Sequence, residues 1–174
     1  MTGDDALTPS EQLASTLASM IHGDLEAFPV SASALGRSDY DGRLDDVSAD
    51  AFRSHEATAA ARLAELDAIA DEGLSPDEHI DRDLARSVLR GRLILAPFEA
   101  WRRDPIAYSG PITGGLFTLF LHRLTSERDR VDASIARLAQ AGAAIDAGIA
   151  NLDPGLAHPV IVERGLGAAR AVDQ

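Results

Sequence analysis

Cysteine and lysine are both missing from the 174 residues. Without cysteine there is no disulfide, no thiolate nucleophile and no Cys-based zinc or iron–sulfur centre. All 16 basic residues are arginine, which excludes a Walker-A lysine and any lysine Schiff base. Aromatics are only 5% of the chain, with a single tryptophan. No apolar run approaches the ~20 residues of a membrane helix, and Met1-Thr2-Gly3-Asp4-Asp5 is acidic, unlike a signal peptide. The expectation is a soluble cytoplasmic protein. A net charge of −12 opposes nucleic acid and anionic membranes, because phosphate binding needs clustered cations. Neither is expected as a partner.

What is present reads as one globular domain: 45% apolar and 25% charged residues over a single-domain length. The charge is uneven. Residues 1–81 hold 18 acids and 4 arginines, and residues 82–174 hold 10 acids and 12 arginines. A solvated acidic surface and electrostatic steering of a basic partner both fit that asymmetry.

Alanine occurs 31 times, mostly in periodic polar–apolar stretches, a helical signature. Thr8-Pro9-Ser10-Glu11 carries a capping box and a first-turn proline. Leu13, Leu17, Met20, Ile21, Leu25 and Phe28 follow on one face. A short turn through Ala34 should stop at Gly36. Ser48 caps a second long helix to about Asp71, with Gly73 as its stop, and Ser75-Pro76-Asp77-Glu78 opens a third toward Leu95 before Pro97. Asp104-Pro105, Gly110-Pro111 and Gly114-Gly115 predict a loop over Arg102–Gly115. Leu116–Leu124 reads as an apolar helix needing cover on several faces. Thr125-Ser126-Glu127 then starts a long helix with Val131, Ile135, Leu138, Ile145 and Ile149 inward, and a last helix begins at Pro159. No segment alternates with period two. The fold class is all-α, an antiparallel bundle of about six to seven helices. The predicted core joins Leu13, Leu17, Ile21, Leu63, Leu66, Ile69, Leu84, Val88, Leu95, Phe117, Phe120, Leu121, Ile135, Leu138 and Ile145.

Catalytic motifs are sparse. Of the five histidines (His22, His55, His79, His122, His158), only His55 precedes a glutamate, and a zinc-peptidase His-Glu-x-x-His fails at Ala59. His22 with Glu26, and His79 with Asp83, share helix faces but lack a third ligand. No catalytic residue and no metal ligand is expected on this chain. Gly110–Leu116 could bring amides to an anion or let backbone pack closely. Trp101 and Tyr108 flank Asp104-Pro105 as core anchors or pocket-lining groups.

Phe28-Pro29, Ala34-Leu35-Gly36 and Asp39-Tyr40-Asp41-Gly42-Arg43-Leu44-Asp45-Asp46-Val47-Ser48 open an ordered set of short motifs. Asp81-Arg82-Asp83-Leu84, Trp101-Arg102-Arg103-Asp104-Pro105-Ile106-Ala107-Tyr108, Gly114-Gly115-Leu116-Phe117, Glu127-Arg128 and Ala150-Asn151-Leu152 continue it. In that order and spacing the chain resembles the bacterial domain-of-unknown-function family eight-eight-five. The resemblance implies a helical, gluzincin-type zinc-peptidase-like protein whose zinc motif lies in a later portion. None of those ligands maps onto this sequence. The chain then reads as one incomplete helical domain over 1–174, the N-terminal part of a larger metallopeptidase-like fold. Its expected role is to wall or cap a substrate cleft, with no cofactor of its own and zinc in the full-length protein. The expected partner is the C-terminal catalytic portion or another protein. A stand-alone acidic helical binding module is the alternative. Tyr40, Trp101, Tyr108, Gly114 and Gly115 are the expected substrate- or interface-lining residues, with the Asp104–Gly115 loop at the docking surface.

Overall fold

In a computed structural model, which describes residues 7–121 and 124–171, the periodic stretches form helices and no strand occurs among the described residues. The fold is an all-α helical bundle. The helices are α1 (Pro9–Ala27), α2 (Pro29–Ala34), α3 (Ala49–Ala68), α4 (Pro76–Leu95), α5 (Ile106–Leu121), α6 (Glu127–Asn151) and α7 (Pro159–Ala171). Local capping sets most starts. Thr8 and Glu11 bond reciprocally at α1, Ser48 accepts from Ala51 N–H at α3, and Ser75 with Glu78 forms the capping box of α4. Ser126 accepts from Asp129 N–H at α6. Gly36 and Gly73 take left-handed backbone after α2 and α3 (φ +91° and +97°), although α3 ends at Ala68 rather than Asp71.

The helices divide into two compact units. The first unites described residues up to Asp24 with Ser54–Pro97. Its core is Leu13, Ala59, Leu66, Ile69, Ala85 and Leu89, with Leu17, Met20, Leu63, Leu74 and Leu93 packed around it. The predicted faces of α1 and α3 largely hold here, but Ile21 is exposed. On α4 the prediction is overturned: Leu84, Val88 and Leu95 are exposed, and Ala85 and Leu89 face inward instead. The physical reason is arginine. Buried Arg82 donates to Ile69 O and pairs with Asp71, and Arg86 donates to Leu66 O and pairs with Asp67. The inward side of α4 thus serves the carbonyls at the C-terminal end of α3, which lack helical partners.

The second unit holds Leu25–Arg53 and the described residues from Phe98 onward. The expected loop Arg102–Gly115 is corrected. After a 3-10 turn at Ala100–Arg102, α5 begins at Ile106 and runs through Gly110, Pro111, Gly114 and Gly115. Asp104 Oδ1 accepts from Ile106 N–H, and the Ser109 and Thr113 hydroxyls donate to the carbonyls four residues back. An interior proline costs about 3 kcal/mol, and burial of Tyr108, Gly115 and Leu119 opposes that cost. The apolar helix expected over Leu116–Leu124 is the second half of α5; His122 and Arg123 lie outside the described residues.

The α6 face is also corrected. Ala133, Ser134, Arg137, Ala144 and Gly148 are buried, while Val131, Ile135, Leu138, Ile145 and Ile149 are exposed. Close approach of α5 favours the small side: Gly148 meets the Tyr108 ring, which would lie 2.8 Å from an added Cβ. Phe117, Phe120 and Leu121 of α5 are likewise exposed rather than core. One cluster of the unit joins Val47, Tyr108 and Ala144, with Phe52, Ala107, Ile112, Ala147 and Leu152 against it.

Candidate functional site

The acidic segment 39–48 leaves a 3-10 turn at Ser38–Tyr40 and continues as irregular backbone, so its polar groups need partners beyond a helix ladder. Its own side chains meet part of that need. Asp45 accepts from Val30 N–H at the start of α2, Asp41 accepts from the Ser33 hydroxyl at 2.5 Å, and Asp46 accepts from Ser48 N–H at 2.9 Å. Tyr40 is buried and its phenol donates to Glu26, while Arg43 pairs with the same carboxylate at 3.1 Å. That hydrogen bond to Glu26 is the main reason the phenol titrates above its usual value of 10. The Arg43 guanidinium lies 5.0 Å from the Tyr40 ring centre.

Turn bonds such as Arg43 N–H to Tyr40 O meet more of that need, and α6 supplies further partners. Arg137 has no exposed surface and donates Nε–H to Arg43 O at 3.0 Å, Nη1–H to Gly115 O and Nη2–H to Tyr40 O at 3.5 Å. Burial holds its pKa below the usual guanidinium value, and Asp41 and Asp45 act in the opposite direction. Gln140 donates to Gly42 O and accepts from Leu44 N–H, and Asn151 donates to Val47 O. Of the sequence-predicted residues, Tyr40 and Gly115 therefore meet at one guanidinium. Arg137 and Gln140 were not singled out in the sequence. The available signal was a run of small residues on α6, Ala133, Ala144 and Gly148, around an arginine at helical spacing.

Trp101 and Tyr108 make a second cluster. The Tyr108 hydroxyl donates to Trp101 O, Phe52 stacks on Trp101 at 5.6 Å, and Phe52 meets Tyr108 edge-on at 6.2 Å. Both residues are buried, and burial raises the Tyr108 pKa above 10. Arg53 lies 5.5 Å over the Trp101 ring. Tyr108 is thus a helical core residue, not a mid-loop donor. Gly114 joins neither cluster, and nothing lies within 4 Å of its absent Cβ.

These clusters bind backbone; they do not pair a nucleophile with a base. A half-open recess lined by Ser33, Asp41, Thr118, Leu119, Leu124 and Thr125 has room for about one water. Among the described residues no three His, Asp or Glu side chains could hold a metal ion, so these residues do not fit a zinc site. His79 Nδ1 lies 3.2 Å from Arg82 Nη2, and Asp83 pairs with Arg86 instead. Glu26, the helix-face neighbour of His22, bonds Tyr40 and Arg43. His158 Nδ1 accepts from Val160 N–H at the start of α7, and His122 lies outside the described residues. No helix among the described residues is long and apolar enough to cross a membrane.

The prominent surface feature is apolar. Ile80, Leu84, Val88 and Leu95 stand exposed on α4; Phe117, Phe120 and Leu121 on α5; Val131, Ile135, Leu138, Ile145 and Ile149 on α6. Repetition at helical spacing distinguishes these from singly scattered surface leucines.

A model of the family described as bacterial protein of unknown function (DUF885) matches residues 29–174. No curated protein and no solved structure matches the chain.

Proposed function

Because the chain belongs to the DUF885 family, we propose that it forms the non-catalytic helical portion of a zinc-dependent peptidase-like hydrolase. It walls or caps a substrate cleft, and a C-terminal catalytic portion supplies the zinc. The observation that carries this reading is the inverted α6, whose small and polar side is buried while its branched apolar side stays exposed. Uncovered apolar surface costs about 25 cal/mol per Å², so such a face supports a role in which further protein covers it. The stripes of α4 and α5 point the same way. The aromatic and Arg137 clusters then act as a rigid frame behind the covered faces of α5 and α6 rather than as reactive groups.

The test is reassembly. The chain and a separately expressed C-terminal portion of a family member should form a stoichiometric complex with zinc-dependent peptide hydrolysis. Leu84→Glu with Leu138→Glu should weaken assembly at least tenfold with helicity unchanged. Full hydrolysis by the C-terminal portion alone would overturn the proposal.

A further inference from the structure

On α6 the exposed residues Val131, Ile135, Leu138, Ile145 and Ile149, with Gly142 between them, are spaced alternately four and three apart. This is a heptad seam, with Val131, Leu138 and Ile145 at d and Ile135, Gly142 and Ile149 at a. It spans about 27 Å at 1.5 Å per residue, and its apolar side chains are 43 to 74% exposed. Nothing lies within 4 Å of the absent Gly142 Cβ, so the seam has an open hole at its middle.

The two flanks differ. The g positions are Ser134, Ala141 and Gly148, of which Ser134 and Gly148 are buried, so that flank turns toward the unit's own helices. The e positions are Asp132, Ala139 and Asp146, all exposed. Asp132 meets Arg128 at 3.8 Å with both side chains highly exposed, so water and salt screen that pair. The seam is therefore apolar with a single acidic rim, its two carboxylates two heptads apart.

We infer that α6 docks one amphipathic helix of the covering portion, nearly parallel to its axis, with arginine or lysine facing Asp132 and Asp146. The seam periodicity selects a helix, because only a helix offers side chains at the matching 3.5-residue repeat. The acidic rim selects a basic flank, since like charges across such a contact are repulsive. An anionic membrane surface is disfavoured on the same ground. A second copy is disfavoured too, because it brings the same acidic rim and a net charge of −12. The inference rests on the reading that further protein covers these faces, but it is tested without that protein.

Two designed peptides of about three heptads serve as probes, each with leucine at a and d. One carries arginine at e and g, the other glutamate. Titrated into the intact chain at low salt, the arginine peptide should bind about tenfold tighter than the glutamate peptide. Asp132→Arg with Asp146→Arg should reverse that order, and Leu138→Glu should abolish binding of both with helicity unchanged. Equal binding of the two peptides, or binding of neither, would overturn the inference even if the C-terminal portion assembles. So would a dimer of the chain alone at low salt that Leu138→Glu dissolves, since the occupant would then be a second copy.

Discussion

A single guanidinium anchors much of the irregular segment between α2 and α3. Arg137 donates to three backbone carbonyls. Tyr40 O also accepts from Arg43 N–H and Gly115 O from the Thr118 hydroxyl, so removing Arg137 takes a donor chiefly from Arg43 O. A part-buried acceptor left without its donor costs about 1–3 kcal/mol. Arg137→Met should therefore lower stability by about 1–3 kcal/mol, read from the urea midpoint of Trp101 fluorescence, since the chain's one tryptophan sits in the same unit. Arg137→Lys should lose most of this as well, because an ammonium cannot reproduce the planar fork. Glycines give a sharper contrast. A Cβ at Gly148 meets the buried Tyr108 ring, and one at Gly142 meets nothing within 4 Å. Gly148→Ala should destabilise by about 1–3 kcal/mol through overpacking. Gly142→Ala should stabilise by about 0.5–1 kcal/mol through lower backbone entropy in the unfolded chain. Equal midpoints for the two variants would contradict the α5–α6 packing.

Helix existence and helix starts were legible in the sequence because their signals are local. The Thr8, Ser48, Ser75 and Ser126 caps all bond within a few residues of themselves. Helix faces were less legible, and α4 shows why. Apolar spacing favoured Leu84, Val88 and Leu95, but Arg82 and Arg86 turn the helix toward the α3 carbonyls. The consequence for stability is direct. Leu89→Ala should cost about 2–5 kcal/mol, whereas Leu84→Ser and Leu138→Ser should change the denaturation midpoint by less than about 0.5 kcal/mol. The start of α4 also carries a pH signature. The Ser10 hydroxyl, and then the Ser75 backbone and hydroxyl, hold the Glu78 carboxyl at about 2 against its ordinary 4.5. The folded pKa is the lower one, so the stabilisation is complete above 4.5 and fades as pH falls toward 2. Thermal melts should show Glu78→Gln less stable than the parent at pH 7, with the gap closing across that window. A gap of constant size from pH 7 to 2 would remove Glu78 from this role.

At the scale of the molecule, the candidate site was half visible. Tyr40 and Gly115 stood out by their motifs, but what joins them is Arg137, which reaches Arg43 across 94 positions of sequence. No local pattern encodes that reach. Tyr108 and Trp101 were visible as aromatics, yet their place in a helical core depended on α5 tolerating Pro111, which tertiary packing decides. The same long-range packing spent the small faces of α5 and α6 on each other and left branched side chains outside. That leaves a chain of net charge −12 whose stripes remain open to apolar probes. The folded chain at pH 7 should therefore enhance the fluorescence of anilinonaphthalene sulfonate despite the like charge of the dye. Raising ionic strength from 0.01 M to 0.15 M shortens screening from about 30 Å to about 8 Å, so the signal should rise with salt. Leu84→Ser, Ile135→Ser and Leu138→Ser combined should remove most of the signal with far-ultraviolet helicity unchanged. A parent chain that binds no dye at either salt concentration would mean that the stripes are already covered in solution, and the docking role proposed for them would fail with it.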